Sequence, residues 1–305
     1  MNLNNKIKSI LFIVISSILF TTMNLFSKLS TNISLYQKAF VANITAVIVI
    51  SIIIFKNRLS FIGNKENRKN LIIRGICGTA SLICLYYSIE HLILSDSAML
   101  SKLGPIFATI FGVFISKDKI NKRQILFLFI TLIGAVFIIK PKFSFEFLPA
   151  LIGLFSAASA GMAFTMIRII GNKENSYTII FYNIALATLI SFPFMFFNVE
   201  SYSYKSSLVY MVLGGLCIAF GQIFLTLAYK NSPASSIAIY DYIGLIISGI
   251  YGFIIFHEIP DIYSFIGYII IFVSAIFNFI FQKKVTQHIT LTINKSNMLC
   301  QNFIY

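Results

Sequence analysis

Charge is what this sequence has least of. Only 11% of its 305 residues are Asp, Glu, Lys or Arg, and ten are acidic. An ordinary soluble domain carries about a quarter charged residues. With 58% hydrophobic residues and a mean hydropathy of +0.87, the chain cannot cover a water-soluble globule. Metal-binding residues are also sparse. His91, His257 and His288 are scattered, and Cys77, Cys84, Cys217 and Cys300 form no CxxC. No zinc site, disulfide framework or cofactor is therefore expected. HExxH, a Ser nucleophile elbow and GxxxxGK[ST] are all missing, which argues against an integral membrane enzyme and against a nucleotide-driven pump. No filter loop or ring of charge suggests a channel.

What the chain has instead is apolar runs of about twenty residues, repeated from end to end, the signature of membrane helices. They fall near 7–29, 36–55, 71–90, 94–116, 124–140, 147–169, 177–197, 207–229, 233–256 and 262–282. Lys6 and Lys8 precede "SILFIVISSILF" as in a signal peptide, but no A-x-A site follows, so a retained first span is expected. Helices are expected because lipid offers backbone groups no other partner. The fold class is thus all-α, integral to the membrane, with ten spans.

The net charge of +14 does not point to nucleic acid, because the basic residues lie between apolar runs and form no stripe. They set an orientation instead. With the N-terminus inside, the inner segments hold Lys56, Arg58, Lys65, Arg68, Lys69, Arg74, Lys117, Lys119, Lys122 and Arg123 among others. The outer ones hold Lys28, Lys38, Lys140, Lys142 and Lys205. The bias places both termini in the cytoplasm. Residues 285–305 read as a polar tail.

Shifted by 140 residues, the sequence resembles itself. Asn43 meets Asn183, Gly75 meets Gly215, Cys77 meets Cys217, Gly104 meets Gly244, and Gly112 meets Gly252. Each half, 1–143 and 144–284, holds five spans, an odd number, so the second half should lie upside down. The flanks agree: "SKDKINKR" carries four basic residues, whereas its counterpart "FHEIPDIY" carries none. Inverted repeats recur in secondary carriers, with the substrate near the midplane between the halves.

At this level the chain resembles the drug/metabolite transporter superfamily, EamA type. "SAMLSKLGPIFATIFGVFISKD" is similar to that family's fourth-helix pattern, through Ala98, Pro105 and Asp118. "SSIAIYDYIGLIISGIYGFIIFHE" keeps Ala238, Gly244 and Glu258 but has Leu245 in the proline position. The resemblance covers about residues 7–284 and implies transport of a small molecule across a bacterial inner membrane. The whole chain also resembles the S-adenosylmethionine uptake carriers of obligate intracellular bacteria. That implies S-adenosylmethionine, or a similar zwitterion, as the substrate. Amino acids, drugs and other metabolites, imported or exported, stay open, as does the oligomeric state.

Two charges stand inside apolar runs, Lys102 in the fourth span and Asp241 in the ninth. Entering from opposite faces on straight helices, they would stop about 10–14 Å apart along the membrane normal, too far for a direct ion pair but suited to a bridging zwitterion. Lys102 is a candidate for a carboxylate and Asp241 for an ammonium or sulfonium. Tyr240 and Tyr242 flank Asp241 and are candidates for cation–π contact. Snorkelling explains Lys102 as well. A structural carboxylate or a proton-coupling site explains Asp241 as well. Asn24, Asn43, Asn183 and Gln222 are uncharged cavity candidates, with interhelical hydrogen bonding as the other reading. Glu90 and Asp96 flank a short turn and are expected to be solvated.

Overall fold

The computed structural model describes residues 3–31, 33–116, 122–139, 147–196, 204–231, 240–277 and 280. Among them there is no strand. The helices are α1 (Leu3–Leu29), α2 (Leu35–Lys56), α3 (Arg68–His91), α4 (Leu94–Ser101), α5 (Gly104–Ser116), α6 (Lys122–Ile139), α7 (Leu148–Ile170), α8 (Ser176–Phe194), α9 (Tyr204–Asn231), α10 (Ile243–Phe256) and α11 (Ile262–Phe277). Seven helical segments among the described residues are long and apolar enough to cross a membrane. Three shorter apolar helices accompany them at Ile125–Ile138, Ile243–Phe256 and Ile262–Phe277. The polar tail, Cys300, the acidic Asp118, and Ala238 with its neighbours 232–239 lie outside the described residues.

Local chemistry sets the helix ends. Ser34 starts α2 with a reciprocal cap: its hydroxyl accepts from the Gln37 amide at 3.3 Å, and Gln37 Oε1 accepts from the Ser34 amide at 2.9 Å. Asn175 caps α8 by accepting from the Tyr177 amide at 3.0 Å. Such caps satisfy amide donors that a helix leaves free in its first turn.

The fourth predicted span is not continuous, as the sequence reading had assumed. It breaks at Lys102 and Leu103. Pro105 has no amide hydrogen to return to the Ser101 carbonyl, so α4 cannot run on. Tighter bonds bridge the gap, from the Leu103 amide to the Leu100 carbonyl (3.0 Å) and from Ile106 to Leu103 (2.9 Å). The ninth span breaks as well, at Tyr242, without a proline. There the Leu245 amide bonds to the Tyr242 carbonyl at 3.0 Å. The freed groups go to α1: Ser17 Oγ donates to the Asp241 carbonyl (2.6 Å) and accepts from the Gly244 amide (3.1 Å).

In the bundle, α1 packs along α9, α3 along α7, and α2 along α8, with α2 also against α9 and α3 against α8. Small residues let these helices approach. A Cβ on Gly75 would come within 2.9 Å of the Tyr182 carbonyl, and one on Gly215 within 2.5 Å of the Ala42 carbonyl. The outer face carries Phe55, Phe114 and Ile259, each more than 70% exposed, as a lipid-facing surface requires.

Polar contacts tie each end. At one, Lys28 pairs with Glu258 and donates to the Leu92 carbonyl at 3.0 Å, while Glu258 Oε2 accepts from the Leu94 amide at 2.9 Å. Lys38 pairs with Glu90 at the same end. Asp96 is 5% exposed and accepts from Tyr268 (2.5 Å) and Ser264 (3.1 Å). Asp96 is therefore a buried, bound group and not a solvated one, whereas Glu90 is exposed as expected and also pairs with Lys38; the helices beyond the turn supply partners that a linear reading cannot see. At the other end Glu174 accepts from the Asn64 amide and the Asn67 side chain, both at 2.8 Å.

Gly215→Leu should destabilise the protein by about 1–3 kcal/mol, the usual cost of overpacking. Gly249→Leu should leave stability nearly unchanged, because nothing lies within 4 Å of a Cβ there. Thermal unfolding in detergent distinguishes the two.

Candidate binding cavity

A cavity of about 160 Å³ lies where α1, α2, α3, α7, α8 and α9 meet the two interrupted segments. A single water needs about 10–15 Å³ of such space, so the cavity can hold several. Six of the eight residues singled out in the sequence line it: Asn24, Asn43, Lys102, Asn183, Gln222 and Asp241.

Lys102 and Asp241 stand at its edge. Lys102 Nζ lies 2.9 Å from Asp241 Oδ1, and their side chains are 11% and 18% exposed. The expected separation is thus wrong. Rise along two straight helices ignores the four-carbon lysine stem and the break in both segments, which together close the gap. Lys102 Nζ also donates to Ser17 Oγ at 3.2 Å. Ser17 thereby uses its one proton and both lone pairs. Gly244 makes this possible, since a Cβ there would meet Ser17 Oγ at 2.5 Å and Thr21 Oγ1 at 2.6 Å.

Tyr240 and Tyr242 do not line the cavity. Tyr242 is 6% exposed, packs with Met99, Leu100 and Leu103, and meets Phe272 edge-on at 5.9 Å. Tyr240 packs with Ile13, Leu225 and Ala228. Consecutive helical residues point about 100° apart, so both flanking rings turn away from the face that Asp241 presents. The aromatic lining comes instead from Phe20 and from Phe164, which stacks on Tyr229 at 5.5 Å.

The sequence reading misplaced Arg74. It counted Arg74 among inner-segment charges, but the side chain is 2% exposed and lines the cavity. Its Nη1 donates to Asn183 Oδ1 at 2.6 Å and its Nη2 to Gln222 Oε1 at 3.3 Å, while Nε is buried without a partner. The signal was available: Arg74 falls within the third apolar run, one turn before Gly78. A Cβ on Gly78 would lie 1.8 Å from Asn183 Oδ1 and 2.6 Å from Arg74 Nη1, so the missing side chain makes the room for this bond. Asn43 Nδ2 is occupied by the Ala39 carbonyl at 2.8 Å, and Asn24 Oδ1 is buried without a partner.

The sequence profile of the EamA-like transporter family matches the chain twice, at residues 7–140 and 147–280. The pseudopaline exporter CntI of Pseudomonas aeruginosa is 28% identical over 271 residues, covering 88% of this chain and 94% of the relative. Human solute carrier family 35 member G1 is 26% identical, covering 82% of this chain and 72% of its own. The S-adenosylmethionine uptake transporter of Rickettsia prowazekii is 27% identical over 218 residues, covering 70% and 72%. A protein of known crystal structure matches with a TM-score of 0.65 at 13% identity, over 88% of this chain and 94% of that one. That likeness shows a shared fold.

Removing one member of the Lys102–Asp241 pair strands the other. Asp241→Asn or Lys102→Met alone should cost about 1–3 kcal/mol, short of the roughly 3–5 for a fully buried pair. The double variant Lys102→Met/Asp241→Leu should recover most of that loss in a denaturation experiment, while losing any function that needs the charges.

Proposed function

This chain belongs to the EamA-like transporter family, and on that premise we propose that it is a secondary carrier importing S-adenosylmethionine, by exchange for a related metabolite. The observation that carries the reading is a cavity, amid apolar helices, lined by the Lys102–Asp241 ion pair and by aromatic rings. A relative named an S-adenosylmethionine uptake transporter, at 27% identity, supports the substrate.

The geometry suits a cation that also carries an amino-acid end. A substrate ammonium or sulfonium replaces Lys102 as the partner of Asp241, so a charge leaving water finds a counter-charge already in place. Without that, burial of the ion would be prohibitive. Phe20 and Phe164 offer apolar faces to the adenine.

The carrier consists of two inverted five-helix halves in ten spans, in a bacterial inner membrane, with both termini cytoplasmic. Several features spaced by 140 residues support the repeat. The two broken segments give way at Lys102 and Tyr242, Gly75 and Gly215 each sit at a close helix contact, and Asn43 and Asn183 both line the cavity. Halves related in this way rock about a fixed midplane site. Opening toward the end that bears Lys28 requires its pair with Glu258 to part.

A second reading is export of a metabolite, favoured by the pseudopaline exporter as a relative covered to 94%. Direction separates the two. Cells expressing the chain should accumulate labelled S-adenosylmethionine well above vector controls, and Asp241→Asn should cut the initial rate about tenfold or more, the equivalent of about 1.4 kcal/mol. Verified membrane expression with no accumulation rejects import. Efflux from preloaded cells would then select the export reading.

A further inference from the structure

Lys102 is neutralised by Asp241 and tethered to Ser17. Arg74 is not neutralised. Among the described residues its recorded partners are two neutral amide oxygens, from Asn183 and Gln222, and no carboxylate. A guanidinium has five N–H donors, of which these bonds engage two. Its Nε, the atom that with a neighbouring Nη forms the fork recognising a carboxylate, is buried and unsatisfied. A full positive charge, 2% exposed and lining a cavity, is a costly thing to leave unpaired unless an anion completes it.

We propose that Arg74 is the carboxylate-docking residue of the cavity, held in place by Asn183 and Gln222 in the room left by Gly78. The two amides are acceptors that fix the guanidinium plane without consuming its charge. A carboxylate in their position would have closed the site. The ligand class follows: a molecule with a carboxylate at one end for Arg74 and a cation at the other for Asp241. Lys102, which the sequence suggested for the carboxylate, is instead the ion-pair partner of Asp241. The inference rests on the carrier reading above, but its test does not depend on that substrate.

The experiment measures binding to the purified full-length protein in detergent by calorimetry, with two pairs of probes. One pair is S-adenosylmethionine and its decarboxylated analogue; the other is methionine and methioninol, which lacks the carboxylate. The wild type should bind the acid of at least one pair about tenfold or more tightly than its partner, as a charge-assisted bidentate contact requires. Arg74→Gln should abolish that preference, and Arg74→Lys should keep part of it. Gly78→Ala, which retains every charge but crowds Asn183 and Arg74, should weaken it. The preference surviving intact in Arg74→Gln overturns the proposal, as does a wild type that binds each pair equally or binds no acid. Discrimination within the methionine pair with no binding of S-adenosylmethionine leaves the Arg74 site standing and removes the substrate reading. Binding of S-adenosylmethionine and its decarboxylated analogue with equal affinity, and no discrimination within the methionine pair, does the reverse.

Discussion

A helix that stops inside hydrocarbon exposes amides and carbonyls that lipid cannot satisfy, and in this protein one hydroxyl resolves that problem at the centre. Ser17 takes the Asp241 carbonyl and the Gly244 amide at the break of the ninth segment, and receives Lys102 from the break of the fourth. The ion pair, the course of both interrupted segments and the edge of the cavity are all positioned through that group. The break of the ninth segment has its backbone groups met by α1, which comes close because Gly244 presents no side chain to it, whereas the break of the fourth is bridged by its own tighter backbone bonds.

The cavity joins two kinds of polar site. One is a pair of opposite charges, Lys102 and Asp241. The other is the Arg74 guanidinium, bonded to the neutral amides of Asn183 and Gln222. Both line the same cavity, together with Phe20, Phe164 and small residues such as Ala98, Ala157 and Ala163. Three of the chain's charged residues, Arg74, Lys102 and Asp241, thus meet in one space among apolar helices.

Much of this was legible in the sequence, and the reasons are physical. The helix positions followed from the length of the apolar runs, because a helix is the economical way for backbone to lie in lipid. Lys102, Asp241 and the amide residues stood out because polar groups in such runs are rare. The errors arise where a linear argument meets three dimensions. The Lys102–Asp241 distance failed because straight helices were assumed, although Pro105 advertised one of the two breaks. Tyr240 and Tyr242 were adjacent in sequence and therefore out of phase in space. Arg74 resembled a boundary charge, being close to the start of its helix, and only its tertiary neighbours separate it from the others. Ser17 gave no signal at all: it is one serine among many, and its role exists only once α1 meets the ninth segment.

The contacts at the Lys28 end join three parts of the chain. Lys28 grips both Glu258 and the Leu92 carbonyl, and Glu258 grips the Leu94 amide, so the first helix, the turn before α4 and the end of α10 are fastened by one latch. Lys28 Nζ anchors two of these bonds, so on the carrier reading proposed above that face cannot part, whatever the cargo, without freeing a lysine and a glutamate remote from it.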